Sequence, residues 1–287
     1  IVKLQDKYPQ LLIFDYDIKS KVLNSIYQFN PTHILFWRPT IIKESLIKKL
    51  LKMNIKILTT NNDDPFNTKF KENSYFTDLH LKSRWYHYKR ILKYSSANWF
   101  YRGVNLKEAV KYNSKNNYLL PPYYIKELHY RVCRNDEKDI DVVFIGHYEN
   151  DKRDLLIKKL HDNGIKIRVF GIKKEWSKSC LINTSIFPKI KPLYGKEYAD
   201  TLSKSKIALC FMSKHNRDKY TRRCFEIPAA GTLIFSESNN LLRKIFTENV
   251  EAIYFDNPDE ALQKIQYYLS NESKIFEISK AGQDKLN

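Results

Sequence analysis

Metal-ligand motifs, phosphate-binding glycine loops and long apolar runs are all missing from this sequence. Its four cysteines, Cys133, Cys180, Cys210 and Cys224, form no C-x-x-C pair, and no histidine stands at ligand spacing from them. That excludes a recognisable zinc set and reads as reduced thiols of a cytosolic chain. Glycine is scarce, at seven residues, and neither G-x-G-x-x-G nor G-x-x-x-x-G-K-[ST] occurs. A dinucleotide fingerprint and a P-loop are therefore excluded. No segment approaches the roughly 20 apolar residues that a transmembrane helix needs. The polar start, IVKLQDKYPQ, has no signal-peptide character. The first residue is Ile1 rather than Met, as in a piece of something longer. The expectation is a cytoplasmic protein, with peripheral attachment to the inner face of a membrane as a second option.

Acidic charge is also in deficit. Fifty Lys and Arg stand against 32 Asp and Glu, a formal charge of +18. Such a balance attracts polyanions: nucleic acid, an anionic membrane, or phosphorylated and acidic glycans. The charge is spread along the chain, largely as Lys among many Asn and Ile, so a dedicated nucleic-acid binder is disfavoured. What the chain does have is core-forming material. A hydrophobic content of 43% with 14% aromatics excludes disorder. A length of 287 residues suits two α/β domains better than one core.

Strand and helix patterns alternate from the start, the sign of parallel sheets with covering helices. Strands are expected at 11–16, 34–37, 55–59, 98–101 and 118–120, with helices at 19–29, 42–53, 78–94 and 106–112. Between 123 and 138 the pattern weakens and charge rises, which reads as a linker. Alternation then restarts, with strands at 141–145, 166–170, 207–211, 232–235 and 252–255. Helices are expected at 151–163, 196–204, from Tyr220, at 241–246 and from Pro258, where Asn257 is a suitable N-cap. The division expected is a first domain at 1–124, a linker at 125–138, a second domain at 139–270, and a C-terminal helix at 271–287 packing back on the first domain.

Open parallel sheets place ligands at the carboxyl ends of their strands, so candidates follow from position. In the second domain these are Gly146 and His147, the segment from Gly171 to Lys173, residues 212–218, and Gly231 with Thr232. Glycine permits close backbone approach, and Arg153, Lys173, Arg222 and Arg223 are cations suited to phosphate. The run YTRRCFEIPAAGTLIFSE, 220–237, concentrates most of this chemistry. It reads as a helix with two arginines and Glu226, a left-handed turn at Gly231, and a strand buried on both faces. As an isolated pattern it fits scaffold as well as site. Glu226 can accept two ribose hydroxyls. First-domain strand ends supply Asp15, Asp17, Trp37, Arg38, Asn62, Asp63 and Asp64.

RRCFEIPAAGTLIFSE, followed by LLRKIFTENVEAIYFDNPDEALQKIQYYLSNE, resembles the C-terminal half of the CgeB-like glycosyltransferases, relatives within the GT-B superfamily. FIGHYENDKRDLLIKKL is similar to that family's first C-terminal-domain strand and helix, and TTNNDDPF to its N-x-D-D-P loop. The resemblance is strongest from Asp141 to Asn271. It implies an α/β GT-B fold, two Rossmann-like domains facing each other across a cleft. It implies that Glu226 takes the place of the ribose-binding Glu, and Arg223 that of the arginine facing the donor diphosphate. Gly231 and Thr232 would lie at the phosphate-binding turn, and Ile190 to Tyr194, with Lys191, would cradle the nucleobase. Gly146, His147, Arg153 and Lys173 complete the donor set. Asp218, eight positions before Glu226, stands where the superfamily usually has a Glu near the donor sugar. Trp37, Arg38, Asn62, Asp63 and Asp64 form the acceptor set.

The implied activity is transfer of a sugar from a nucleotide-sugar to a glycan or lipid-linked acceptor in cell-surface polysaccharide synthesis, without metal or cofactor. Arg223, with Arg153 or Lys173, would offset the charge on the departing diphosphate. Asp15 and Asp17 form a D-x-D that chelates a divalent cation in metal-dependent sugar transferases. Here it falls at the first strand, where contact with acceptor hydroxyls or a general-base role fits better. If the anomeric configuration inverts, Asp15, Asp17 or Asp63 is the base; if it is retained, the leaving phosphate can serve. The alternatives are a basic, non-catalytic module holding glycan or nucleic acid, and a nucleotide-sugar epimerase on the same fold.

Overall fold

A computed structural model describes residues 11–15, 22–67, 85–131, 134 and 138–286. The chain divides into two compact units, 1–121 with 215–217, and 122–214 with 218–287. Among the described residues no helix is long and apolar enough to cross a membrane.

The first unit is built on a five-stranded parallel sheet in sequence order, β1 (Leu11–Asp15), β2 (His33–Trp37), β3 (Lys56–Asn61), β4 (Ala97–Phe100) and β5 (Asn117–Leu119). Between the strands run α1 (Val22–Phe29), α2 (Glu44–Lys52) and α3 (Gly103–Ala109). Ile34 and Phe36 of β2 and Ile57 of β3 pack with Ile26 of α1 and Ile47 and Leu50 of α2. A separate cluster gathers Phe66, Trp85, Tyr88, Leu92 and Phe100. The helix expected over 78–94 is described from residue 85, is helical to 91, and closes as a 3-10 turn at Leu92–Tyr94.

The second unit carries β6 (Ile140–Ile145), β7 (Ile167–Phe170), β8 (Ser205–Cys210), β9 (Leu233–Glu237) and β10 (Ile253–Phe255), all parallel. Their order is β10-β9-β8-β6-β7, so the chain winds outward from β6 to β7 and then returns to lay β8 on the other side. This reversal is a topological switch point at β6 and β8. The sheet of the first unit has none among its described strands. The helices are α4 (Lys126–His129), α5 (Arg153–Asp162), α6 (Lys173–Trp176), α7 (Gly195–Ser203), α8 (Arg223–Ala229), α9 (Leu242–Ile245), α10 (Pro258–Leu269) and α11 (Glu272–Asp284).

Alternate residues of each strand feed opposite faces, as period-two geometry requires. Val142 and Phe144, Ile207 and Leu209, and Leu233 and Phe235 point to the face covered by α5, α10 and α11. Val143, Ala208, Cys210 and Ile234 point to the face covered by α7, α8 and α9. Burial on both faces is why these strands read as unbroken apolar runs. Asn257 caps α10 as the sequence predicts, its side-chain oxygen accepting from the N–H groups of Asp259 at 3.1 Å and Glu260 at 3.0 Å.

The segment read as a linker groups with the second unit, and Lys138 at its end has backbone partners. The ammonium of Lys138 is buried and donates to three carbonyls, Gly231 at 2.7 Å, Ser205 at 2.9 Å and Ser203 at 3.1 Å. Two of these lie at helix C-termini, where carbonyls have no intrahelical donor. Lys138→Met is expected to cost about 3 kcal/mol, because three carbonyls lose a charged donor. Urea unfolding with an unchanged m-value checks it. The C-terminal helix α11 groups with the second unit. Its buried side chains Ile275 and Ile278 join the core of the second unit, and Gln283 donates to the carbonyl of Ala229 at 2.9 Å.

Candidate functional site

In a doubly wound sheet the crevice lies at the carboxyl ends of the strands flanking the switch point, here β6 and β8. The residues leaving β6 are Gly146 and His147. Gly146 is buried and His147 exposed. A Cβ on Gly146 would lie 2.7 Å from the ring of Phe144, and its carbonyl accepts from the indole N–H of the buried Trp176 at 3.1 Å. The glycine thus serves packing within the strand ends. His147 is exposed, with Nδ1 2.8 Å from a Glu175 carboxylate oxygen.

The candidate cations divide sharply. Arg153 is buried and donates to Asp151 at 2.8 and 2.6 Å and to the His147 carbonyl at 2.8 Å, with its guanidinium over the Phe211 ring. It pins the loop after β6. Lys173 donates to the Pro188 carbonyl at 2.9 Å, and Lys191 pairs with Glu197 at 2.9 Å. Arg222 pairs with Glu226 at 2.8 Å and lies over the Tyr123 ring. Arg223 differs from all four. Among the described residues its guanidinium has no hydrogen-bond or ion-pair partner, and its Nε is buried without an acceptor. A buried donor left unpaired costs about 1–3 kcal/mol; the Nε of Arg222 is buried without an acceptor too, but its guanidinium has Glu226, so of these five cations Arg223 is the one left without a partner among the described residues.

Local sequence places Arg223 there. The Thr221 hydroxyl accepts from the Arg223 N–H at 3.1 Å, so α8 starts at Arg223 rather than at Tyr220. Cys224 packs inward, its Sγ 3.7 Å from that of Cys210, the last residue of β8. The Cys224 thiol, acting on Cys210 with help from the Arg223 charge, holds the Cys210 thiol below its ordinary range. Burial pushes Cys224 the other way. Arg223 therefore sits beside the carboxyl end of a switch-point strand.

One helical turn further lies Glu226, which is buried. Its carboxylate accepts from the Tyr198 hydroxyl at 2.7 Å and from Arg222, and His129 Nε2 stands 3.6 Å away. Burial first, and the neighbouring carboxylate second, push the Tyr198 phenol well above its usual range. Tyr198 therefore stays a protonated donor. His129 and Tyr198 were not legible as site residues: one lies in the weakly patterned segment, the other on an ordinary amphipathic helix.

Gly231 and Thr232 are placed elsewhere. They precede β9, at the amino edge of a parallel sheet, away from the carboxyl ends. The Gly231 carbonyl is held by Lys138, and the fully buried Thr232 hydroxyl donates to the Leu202 carbonyl at 2.5 Å. Their role is in closing the helix, with Gly231 at φ 69°, and the phosphate-turn reading is corrected accordingly. Tyr194 is 73% exposed just before α7. Asp218 donates its backbone N–H to the Ser213 carbonyl at 2.9 Å.

In the first unit, Asp15 ends β1 and Trp37 ends β2. Asp17 falls outside the described residues, as does the side chain of Asp15. Arg38 adopts φ 51° and forms an ion pair with Asp63. The Asn62 carbonyl accepts from Arg102 at 2.9 Å. Asp64 has a fully buried side chain that accepts from Arg217 at 2.5 and 2.9 Å and from Asn105 at 2.9 Å, all within the same unit. Both carboxylate oxygens of Asp64 are thus engaged by protein donors, which makes this side chain a brace of the first unit. Among the described residues no group of His, Cys, Asp or Glu is assembled to hold a metal ion.

Residues 152–287 match a family model described as glycosyl transferase-like. A search of curated protein sequences finds no significant match. Among solved structures the chain is similar to sucrose-phosphate synthase of Thermosynechococcus elongatus, with a TM-score of 0.63 and 12% identity over 92% of this chain and 71% of that one. It is similar to HepE of Anabaena, solved with UDP-glucose, with a TM-score of 0.63 and 9% identity over 92% of this chain and 75% of that one. A glycosyltransferase of Rickettsia africae aligns over 99% of this chain and 82% of its own, with a TM-score of 0.58 and 13% identity. At such identities the likeness establishes the fold alone, two Rossmann-like α/β units of the GT-B type.

Proposed function

We propose that the protein is a glycosyltransferase that moves a sugar from a nucleotide-sugar donor to a glycan or lipid-linked acceptor in polysaccharide synthesis, without a metal ion. One observation carries this reading: Arg223, without a guanidinium partner among the described residues, stands beside the carboxyl end of β8, one turn from the buried carboxylate of Glu226. A nucleoside diphosphate offers the complementary groups in the same order. Its diphosphate would accept from Arg223, and its ribose hydroxyls would donate to Glu226.

Chemically, the difficulty in such a transfer is charge developing on the departing diphosphate. A preset guanidinium stabilises that charge without reorganisation, and one such donor is worth about 10²–10³ in rate. Arg153, Lys173 and Lys191 are engaged with protein groups and are not needed for this step. The match of 152–287 to a glycosyl transferase-like model and the UDP-glucose bound by HepE both support a nucleotide-sugar as donor. The charge of +18 favours an anionic acceptor or its anionic surroundings.

Incubation with a panel of nucleotide-sugars, with and without glycan and lipid-linked acceptors, tests the proposal by release of nucleoside diphosphate. One donor should be consumed in preference to the rest. If none is consumed and none binds at millimolar concentration, the chain is instead a basic binding module, whose affinity for a polyanion would fall steeply with salt.

A further inference from the structure

His129, like Tyr198, has no counterpart in the sequence reading. It ends α4, a single helical turn, and its ring is buried, 3% exposed as a residue. The Ile125 backbone N–H donates to its Nδ1 at 2.9 Å. A ring nitrogen that accepts from a backbone N–H carries no proton, so the proton of the neutral imidazole resides on Nε2. That N–H faces the Glu226 carboxylate at 3.6 Å, an electrostatic contact longer than a hydrogen bond. Burial holds the imidazole pKa below its usual range, in spite of the opposing pull of Glu226, and Arg222 and Arg131 act in the same direction as burial. The imidazole edge also meets the Tyr198 ring, with centroids 6.0 Å apart and planes at 89°.

We infer that His129 is a positioning residue for donor binding: with Tyr198 and Arg222 it fixes the orientation in which Glu226 receives the ribose hydroxyls of a nucleoside diphosphate. The inference rests on the proposed donor site. The tautomer is set by the backbone, so the donor aimed at Glu226 does not depend on side-chain rearrangement. Tyr198 holds one carboxylate oxygen, and Arg222 and His129 face the other. The carboxylate plane is then defined from two sides, with remaining lone pairs available to a bound diol. Removing His129 frees one side and leaves the charge on Glu226 intact.

Glutamine is the informative replacement, because its side-chain amide can supply a donor near the Nε2 position; leucine fills the volume without one. Calorimetric titration with whichever of UDP, GDP, ADP and CDP binds the wild type, and with its 2′,3′-dideoxy form, separates the outcomes. His129→Leu is expected to weaken the ribonucleotide about tenfold and raise the donor KM with kcat nearly unchanged. His129→Gln should recover most of that loss, and the dideoxy nucleotide should bind wild type and His129→Leu equally. A loss of the same size for both nucleotides would show a merely structural effect and overturn the inference, as would wild-type affinity in His129→Leu. Absence of any nucleotide binding by the wild type would instead remove the proposed donor site itself.

Discussion

Arg223→Ala is expected to lower turnover by about 10²–10³-fold while leaving the protein folded. The two halves of that expectation have separate physical origins. The guanidinium makes no hydrogen bond or ion pair among the described residues, so truncation costs none of them a partner. Its buried Nε is a desolvated donor without an acceptor, and its removal relieves a cost in the unliganded protein. The melting temperature should therefore stay within about 2 °C of wild type. Turnover falls because the leaving diphosphate loses a preset cation at the moment its charge develops. Steady-state kinetics with the donor found by the panel measures the first half, and differential scanning fluorimetry the second. A loss of activity accompanied by a collapse in melting temperature would assign Arg223 to the scaffold.

Gly171→Ala carries the largest expected effect on stability, about 3–5 kcal/mol. Gly171 lies just beyond β7, where an added Cβ would overlap the carbonyl oxygen of Gly146 and come within 2.5 Å of the Trp176 indole nitrogen. Neither neighbour can yield easily. The Gly146 carbonyl is backbone at the end of a central strand, and Trp176 is fully buried with its N–H committed to that carbonyl at 3.1 Å. The methyl would break this hydrogen bond and force a large side chain off its position in a close-packed core. Gly164→Ala is the control. Gly164 has φ of 80°, and a Cβ added there would meet no atom within 4 Å. It should lose only about 1–2 kcal/mol, the cost of a left-handed alanine. Equilibrium urea unfolding of both variants checks the contrast. Equal losses would show that packing against Gly146 and Trp176 is not what Gly171 provides.

Much of the fold was legible because both sheets are parallel and built from short runs with clear punctuation. Strand β9 shows why: Leu233, Ile234 and Phe235 are buried alternately on two faces, and an unbroken apolar run is the only pattern such a strand can have. The segment from Tyr123 to Lys138 shows only a weak pattern for the converse reason. Its charges look solvated in sequence, yet Lys138 is consumed by three carbonyls and Arg131 pairs with Asp200. Sequence periodicity registers side chains that meet side chains, not cations that meet the ends of helices. The site followed the same division. Arg223 and Glu226 stand out in the sequence because they share one helix with a recognisable motif. Arg153, Lys173 and Lys191 were indistinguishable from Arg223 in sequence, since a cation's partner is a tertiary fact. Gly146 and Gly171 were correctly singled out as points of close backbone approach, but what approaches is the protein itself.

The central claim is that Arg223 and Glu226 together form the nucleotide site. Its most direct test is calorimetric titration of nucleoside diphosphates into wild type, Arg223→Ala and Glu226→Gln under identical salt. The account predicts saturable binding of at least one nucleoside diphosphate to the wild type, and affinity about tenfold or more weaker in each variant, with the melting temperature unchanged in Arg223→Ala. Equal affinity in all three proteins, or no binding of any nucleoside diphosphate to the wild type, would contradict it.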